Sequence, residues 1–361
     1  MSDLSSEDRR WLDAAVRFAE PYRGTTAENP TVAALVVNPF NQTLVSRAVT
    51  GKGGRPHAAA QAVELAGFDA AGSTLYVTLE PCHHWGRTPP CIDAIIRAGV
   101  MRVVIGAADP HARSVGVGVS QLESAGVEAV LAHHEGSEAL HAGHFMRHTA
   151  HRPYVTVVLP TASGQGAAAA LDPKTTGWRD VERSRSDAIL VDAQTARDSD
   201  PKLTIQLPGL ADRTPLRVVV ADTKGLDRKV NLIGGFSGYR TAIIAETSVS
   251  IDAPVSIDVI RVAGTDGSPD LAKALRALSD KGVQNLLVEA GQTLVDALLK
   301  AKLVDRLVLV DVSHHAEAAD HASATQQLLM GAISTAGLRE IETQALGKDT
   351  LVIYERPLQS D

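Results

Sequence analysis

Short apolar segments rich in β-branched residues alternate with stretches of helical periodicity along the whole chain, and this alternation constrains the fold most. The predicted strands are 31–38, 73–80, 102–109, 154–159, 187–192, 216–222, 241–246, 257–262, 285–289, 306–312 and 351–355. Most of them are apolar on both faces, which is typical of mainly parallel sheets that helices cover on both sides. The sequence therefore predicts an α/β protein.

Helical patterns lie between these strands. The predicted helices are 8–20, 57–66, 91–98, 269–281 and 293–301. Ser268 is the expected N-cap of the fourth helix, with Pro269 at its first position, because serine caps helices well and proline suits the first turn. The stretches 162–176 and 234–238 are predicted as loops, and 313–325 as a loop or a weak helix.

Length and composition limit the class of protein. A chain of 361 residues suggests two domains, and the polar, basic segment 141–152 predicts the boundary, giving domains 1–148 and 152–361. A hydrophobic content of 44% is too high for a disordered chain, and no apolar run approaches the ~18 residues of a membrane span. A net charge of −7 argues against nucleic acid as a partner. With a polar N-terminus that lacks a signal-peptide pattern, we expect a cytoplasmic protein.

The two cysteines of the chain, Cys82 and Cys91, follow a histidine, His57, that opens a predicted helix. One imidazole and two thiolates are three ligands of a tetrahedral zinc site whose fourth position holds water, as in catalytic sites. The spacing alone leaves inert core thiols and a disulfide as open alternatives. The proline-rich, polar residues between the cysteines are unusual for a core strand and favour zinc.

The string from Glu80 to Cys91 (EPCHHWGRTPPC) resembles the bifunctional riboflavin-biosynthesis deaminase/reductase family, as do Asn29-Pro30, the segment 53–57 and Asp109-Pro110. The resemblance implies a cytidine-deaminase-like three-layer domain followed by a dihydrofolate-reductase-like α/β domain. It implies two cofactors, zinc and NADPH. The implied reactions are hydrolytic deamination of a diaminopyrimidine ribosyl phosphate and reduction of its ribosyl side chain. It also implies a homo-oligomer formed through the second domain.

The resemblance further assigns individual residues. Zinc ligands would be His57, Cys82 and Cys91. For His83 and His84 the sequence leaves two roles, further zinc ligands or loop residues that line the pocket, and we expect the second. Substrate-binding residues would be Asn29, Arg87, Thr88, Arg183, Leu203 and Glu289. NADPH-binding residues would be Trp178, Thr195, Ser199, Thr223, Gly291, Gln292, Thr293 and Leu294. The last four open a helix after a strand, where free N–H groups can hold a pyrophosphate.

Several positions depart from the family pattern. Zinc deaminases have a proton-shuttling glutamate two residues after the histidine, and Ala59 stands there in this chain. Glu64 follows His57 by about two helical turns, roughly 10 Å, which is too far to substitute. In the second domain Val158 replaces a lysine and Gln206 an arginine. No catalytic residue is therefore assigned, and the alternative function is a catalytically impaired or non-catalytic zinc-binding relative that acts as a scaffold or regulator.

Overall fold

The computed structural model describes residues 4–86, 89–110, 116–161, 171–226, 229–234, 238–312 and 322–357, with side chains in the last range described from residue 328. The chain divides into two compact units, Met1–His151 and Arg152–Asp361. Within the described ranges, none of the helices has the length and apolarity that crossing a membrane requires.

The first unit is a sheet between two helical layers. Its elements are α1 (Ser6–Ala19), β1 (Ala33–Asn38), β2 (Thr43–Val49), α2 (Ala58–Ala66), β3 (Thr74–Val77), α3 (Cys91–Arg97), β4 (Arg102–Ile105), α4 (Val117–Ser124), β5 (Glu128–Leu131), α5 (Glu135–Leu140) and α6 (Ala142–Thr149). The strand order is β2-β1-β3-β4-β5, with β1 antiparallel to both neighbours and β3, β4 and β5 parallel.

Alternation along β1 builds the two cores of this unit. Ala34 and Val36 pack with α2, α3 and α4 on one face of the sheet. Leu35 and Val37 face the opposite side, where they pack with α1 and α5. Successive side chains of a strand point to opposite faces, so a strand that is apolar throughout serves both layers.

The second unit contains a nine-stranded sheet of order β10-β9-β8-β7-β13-β6-β14-β16-β15. Its elements are β6 (Tyr154–Pro160), α7 (Pro173–Ser184), β7 (Ala188–Asp192), α8 (Ala193–Ser199), β8 (Leu216–Val220), α9 (Asn231–Gly234), β9 (Thr241–Glu246), β10 (Asp258–Val262), β11 (Gly264–Thr265), β12 (Ser268–Pro269), α10 (Leu271–Asp280), β13 (Asn285–Val288), α11 (Gln292–Lys300), β14 (Arg306–Asp311), α12 (Ala322–Thr335), β15 (Arg339–Leu346) and β16 (Asp349–Glu355). The strands from β10 to β14 run parallel, whereas β16 and β15 are added antiparallel at one edge. The predicted α/β class is confirmed for both units.

Three local predictions need correction. Ser268 does not cap the predicted helix, because Ser268–Pro269 pairs with Gly264–Thr265 in a small hairpin. The N-cap is Asp270, whose carboxylate accepts the N–H of Lys273 at 3.0 Å.

The loop predicted at 162–176 ends earlier than expected, since 173–176 form the first turn of α7, capped by Asp172. Residues 162–170 lie outside the described residues. Of the segment 313–325, residues 313–321 are likewise outside them, and the helix α12 begins at Ala322. Gly234 ends the short helix α9 rather than opening a loop, and 235–237 are not among the described residues.

Candidate metal centre and cofactor site

Three separate elements bring His57, Cys82 and Cys91 together. His57 is the extended residue that precedes α2, Cys82 lies in the loop after β3, and Cys91 is the first residue of α3. His57 Nδ1 lies 3.4 Å from Cys82 Sγ and 3.5 Å from Cys91 Sγ. Zinc bonds of about 2.3 Å to sulfur and about 2.05 Å to nitrogen, at the tetrahedral angle, separate the two ligand atoms by about 3.5 Å. The three side chains therefore fit a zinc ion.

The surroundings of the two thiols favour binding of a cation. Hydrogen bonds from the side chains of Cys91 and His57 lower the pKa of Cys82 to about 4. The main-chain N–H of Cys91 also donates to Cys82 Sγ at 3.3 Å. The hydrogen bond to Cys82, together with burial, raises the pKa of Cys91. These contacts favour the thiolate form of Cys82, and a divalent cation held by the three residues would displace the proton from Cys91.

The three ligands line a cavity of about 280 Å³ in the first unit. The polar residues that share its wall include Glu28, Asn29, Arg55, Glu80, His84, Asp109, His144, Arg147 and His148. The predicted substrate residue Asn29 and the predicted pocket residue His84 are therefore at the metal centre. Arg87 and Thr88 lie outside the described residues. Among the described residues, the group with metal-ligand geometry is His57, Cys82 and Cys91, without His83 or His84.

Ala59 lies on the cavity wall, 3% exposed, one helical position beyond Ala58. Glu64, on the same helix, is solvent-exposed, as its distance along the helix predicts. A carboxylate does lie nearby on another element, namely Glu80. Its two oxygens accept the main-chain N–H groups of Asp109 at 3.3 Å and Gly118 at 3.1 Å. Burial raises the pKa of Glu80. Glu80 therefore orders the chain beside the cavity.

A polar pair in the cavity wall, formed by His144 and Asp109, was not predicted from the sequence. His144 Nε2 lies 3.1 Å from Asp109 Oδ1, and the His144 side chain is 8% exposed. The other ring nitrogen, Nδ1, is buried and has no hydrogen-bond partner among the described residues. Asp109 belongs to the Asp109-Pro110 motif of the family resemblance, whereas the polar segment that contains His144 predicts only a domain boundary.

Asn29 is held against the backbone at Gly54. A Cβ at Gly54 would lie 2.1 Å from Asn29 Nδ2, and the φ angle of Gly54 is +90°. A side chain is therefore excluded there both by space and by backbone conformation. The glycine lets the loop before His57 approach Asn29 closely.

In the second unit, two predicted substrate residues pair with each other. Arg183 donates from Nε and Nη2 to the two oxygens of Glu289 at 2.7 and 2.6 Å. Burial alone would raise the pKa of Glu289, but the charge and hydrogen bonds of Arg183 outweigh it and hold that pKa below its usual value. Leu203 is 2% exposed and packs in the core, so its side chain is not presented to solvent.

The predicted cofactor residues lie mainly beyond the carboxyl ends of neighbouring parallel strands, where ligands bind in open α/β sheets. Ser199, Thr223 and Thr293 are exposed, Gln292 and Leu294 are half-buried, and Trp178 of α7 packs partly against the core. Thr195 and Gly291 are brought together by Asp192, whose carboxylate accepts hydrogen bonds from both. Because the N–H of Gly291 already donates to Asp192, it is not available to a phosphate in this arrangement.

Two family models match the chain. The cytidine and deoxycytidylate deaminase zinc-binding region matches residues 5–107, and the RibD C-terminal domain matches residues 159–352. The riboflavin biosynthesis protein RibD of Escherichia coli is 32% identical over 84% of this chain and 87% of its own length. RibD of Aquifex aeolicus is 29% identical over 97% of this chain and 98% of its own.

Solved structures agree over nearly the full length. The diaminohydroxyphosphoribosylaminopyrimidine deaminase/5-amino-6-(5-phosphoribosylamino)uracil reductase of Thermotoga maritima aligns with a TM-score of 0.80 at 26% identity, covering 97% of this chain and 99% of that one. RibD of Acinetobacter baumannii aligns with a TM-score of 0.79 at 25% identity, covering 97% and 98%.

Proposed function

The chain belongs to the RibD family of riboflavin-biosynthesis deaminase/reductases, and we propose that its two units perform the two reactions in turn. Residues 1–148 form the deaminase, and residues 152–361 form the NADPH-dependent reductase. The observation that carries the proposal is the convergence of His57, Cys82 and Cys91 at zinc-ligand distances on one cavity. Both cysteines are free thiols, which supports action in a reducing cytoplasm.

The first unit would replace an amino group of the diaminopyrimidine ribosyl phosphate by oxygen. A water oxygen bonds to the ring carbon, the carbon–nitrogen bond breaks, and the departing nitrogen leaves as ammonia after taking up a proton. Zinc, when bound, supplies Lewis acidity that brings the pKa of a water near 7. His57, Cys82 and Cys91 would hold it, Asn29 would bind the substrate, and Arg87 with Thr88 would bind its phosphate.

Proton transfer is where this chain departs from its relatives. Ala59 removes the glutamate that carries the proton between water and ring in zinc deaminases. Loss of such a group costs about 10²- to 10⁴-fold in rate. This observation favours a second candidate function for the first unit: it binds zinc and the pyrimidine but deaminates slowly, as a scaffold or regulator of the second.

The second unit would reduce the ribosyl side chain of the deaminated product. Hydride chemistry belongs to the nicotinamide cofactor, so the protein's task is to bind and orient the substrate. The Arg183–Glu289 pair supplies two charged groups in a buried setting for that task. Arg183 also donates to the carbonyl of Thr204 at 2.8 Å, which fixes the guanidinium.

We also propose a homo-oligomer formed through the second unit. Its edge strand β15 is exposed along almost its whole length, and Ile341 on that strand is 56% exposed. Leu328 of α12 is 77% exposed. Exposed strand edges and apolar side chains are commonly covered by a partner. Light scattering on the purified chain should give a mass of at least two copies, and a monomer at micromolar concentration would contradict it.

The two reactions can be measured separately in the zinc-loaded chain. In one assay the diaminopyrimidine ribosyl phosphate is supplied and ammonia release is followed. In a second assay the deaminated product is supplied with NADPH, and NADPH oxidation is followed. Both products are expected if each unit is active. Loss of NADPH on the deaminated substrate without ammonia from the diaminopyrimidine would establish the scaffold alternative for the first unit. Absence of both products from a zinc-loaded, folded chain would overturn the proposal.

A further inference from the structure

One carboxylate joins the starts of two helices at the predicted cofactor site. Asp192 ends β7 and caps α8, and its Oδ1 accepts the N–H of Thr195 at 2.7 Å. Its Oδ2 accepts the N–H of Gly291, which precedes α11, at 2.7 Å and the hydroxyl of Thr195 at 2.9 Å. Since β7 and β13 are neighbouring parallel strands, their carboxyl ends bring Asp192 and Gly291 together although 99 residues separate them.

The donors that Asp192 occupies are those that the family resemblance gives to NADPH. Thr195 and Gly291 are both in that set, and main-chain N–H groups at a helix start are the usual partners of a pyrophosphate. A phosphate that took these donors would have to displace the Asp192 carboxylate or lie next to it. Two anions at contact distance repel each other, and the repulsion is weakened only partly by solvent at a half-buried site.

Among the described residues, Arg197 interacts electrostatically with Asp192, but this cation is already paired with another carboxylate. Val158, at the position of the family's lysine, is 4% exposed in the core, and Gln206 stands in place of an arginine. Arg197 of α8 is committed to Asp222, with bonds of 3.0 and 2.6 Å to its two oxygens. A phosphate that binds here therefore contacts the negative charge of Asp192.

We propose that the Asp192 carboxylate competes with the cofactor phosphates for the N–H of Gly291 and thereby limits the affinity of this chain for NADPH. The carboxylate occupies the N–H at the start of α11, and a dinucleotide phosphate that takes this N–H has to displace it. This inference rests on the proposed function, in that the second unit binds NADPH.

Asp192→Asn isolates the charge. The asparagine oxygen can keep the cap on Thr195, since asparagine and aspartate cap helices about equally well. Its NH₂ group cannot accept a hydrogen bond, so the N–H of Gly291 is released. Asp198→Asn is the matched control, because Asp198 lies exposed on the same helix and contacts the Gln194 side chain at 2.8 Å.

NADPH binding is measured by fluorescence titration of the full chain at fixed ionic strength, and by the thermal shift that the cofactor produces. We expect Asp192→Asn to lower the Kd for NADPH about 10- to 100-fold, between the limits for charges in water and near a protein surface. Asp198→Asn should change it less than about threefold. With NADPH set to the same fractional saturation in each protein, inorganic pyrophosphate, which shares only the phosphates with the cofactor, should displace it from Asp192→Asn at lower concentration than from the parent.

An unchanged or higher Kd in Asp192→Asn, with NADPH binding to the parent intact, would overturn the role of Asp192 and leave the proposed function standing. An equal gain in Asp198→Asn would show a general charge effect and would also overturn it. If neither the parent nor Asp192→Asn nor Asp192→Ser bound millimolar NADPH while folded, the proposed cofactor function would fail, and this inference with it.

Discussion

Restoring a carboxylate at position 59 tests the deaminase cavity most directly. Ala59 lies two residues after His57, a predicted zinc ligand, and it contributes to the wall of the same cavity. We expect Ala59→Glu to raise the rate of ammonia release about 10²- to 10⁴-fold, the usual contribution of a positioned general acid/base. At 1.36 kcal/mol for each tenfold, this is about 2.7–5.4 kcal/mol of transition-state stabilisation.

The buried position of residue 59 also predicts that this substitution lowers the unfolding free energy. Ala59 is 3% exposed, so a glutamate there loses most of its hydration unless it reaches into the cavity of about 280 Å³. Glutamate is a good helix former, and α2 should tolerate it locally. Burial will raise the pKa of the new carboxyl group, which suits a group that must carry a proton near neutral pH. We expect unfolding free energy to fall by about 1–2 kcal/mol.

Ala59→Gln is the matched control, because it fills the same space with an amide that cannot carry the proton. Ammonia release is measured for the parent and both variants, each at one zinc per chain by elemental analysis and at saturating diaminopyrimidine. Only Ala59→Glu should release ammonia faster than the parent. Equal rates in Ala59→Glu and Ala59→Gln, with zinc and substrate bound in both, would refute the reasoning that the missing glutamate limits deamination.

Three further substitutions test separate parts of the first unit. Cys91→Ser should reduce bound zinc well below one per chain by elemental analysis, whereas His83→Asn, outside the ligand group, should retain it; equal zinc in both would contradict the assigned ligands. Gly54→Ala should weaken substrate binding and lower the unfolding free energy by about 1–3 kcal/mol, because φ is +90° and the new Cβ would collide with Asn29. Gly53→Ala is the control for backbone strain alone, since φ is +76° there and no atom lies within 4 Å of the new Cβ. Asp8→Asn should cost about 2 kcal/mol at pH 7 by urea unfolding, since Asp8 accepts two bonds from Arg102.

The pH dependence of that last effect follows from the sign of the shift. Burial alone would raise the pKa of Asp8, but hydrogen bonds from Arg102, Ser5 and Tyr76 outweigh it and lower that pKa. A carboxyl group with a lowered pKa in the folded state stabilises the protein fully above its unfolded pKa of about 3.9. The stabilisation is lost as the pH falls through the folded pKa. The difference between parent and Asp8→Asn should therefore shrink below about pH 4, and a constant difference would contradict the ion pair.

Most of the strands that sequence patterns predicted are largely buried, with the partly exposed β10 as an exception. β4 and β9 are almost continuous runs of buried side chains, and such runs give a strong signal. The strands β2, β5 and β15 escaped prediction because most of their residues are exposed or half-buried, and polar residues interrupt any apolar alternation. These are edge strands, whose pairing is decided by a neighbouring strand rather than by their own sequence.

The candidate site divides in a similar way. Residue types, the proline-rich string between the cysteines and the family resemblance together predicted the ligand group at His57, since spacing alone left core thiols and a disulfide open. The Asp109–His144 pair and the Asp192–Gly291 bond were not predicted. Each joins residues far apart in sequence, so the contact exists only once the sheet order is known.

Two positions at which the family resemblance implies a charged side chain hold packed apolar residues in this chain. Ala59 packs in the core cluster beneath the sheet of the first unit, and Val158 packs in a core cluster of the second. A charged functional side chain held ready in a site costs stability, and replacing it with one that packs or caps recovers part of that cost. A variant at position 59 that releases ammonia faster should therefore have a lower unfolding free energy. A variant with both a faster rate and a higher unfolding free energy would show that the packing of the alanine does not stabilise the protein.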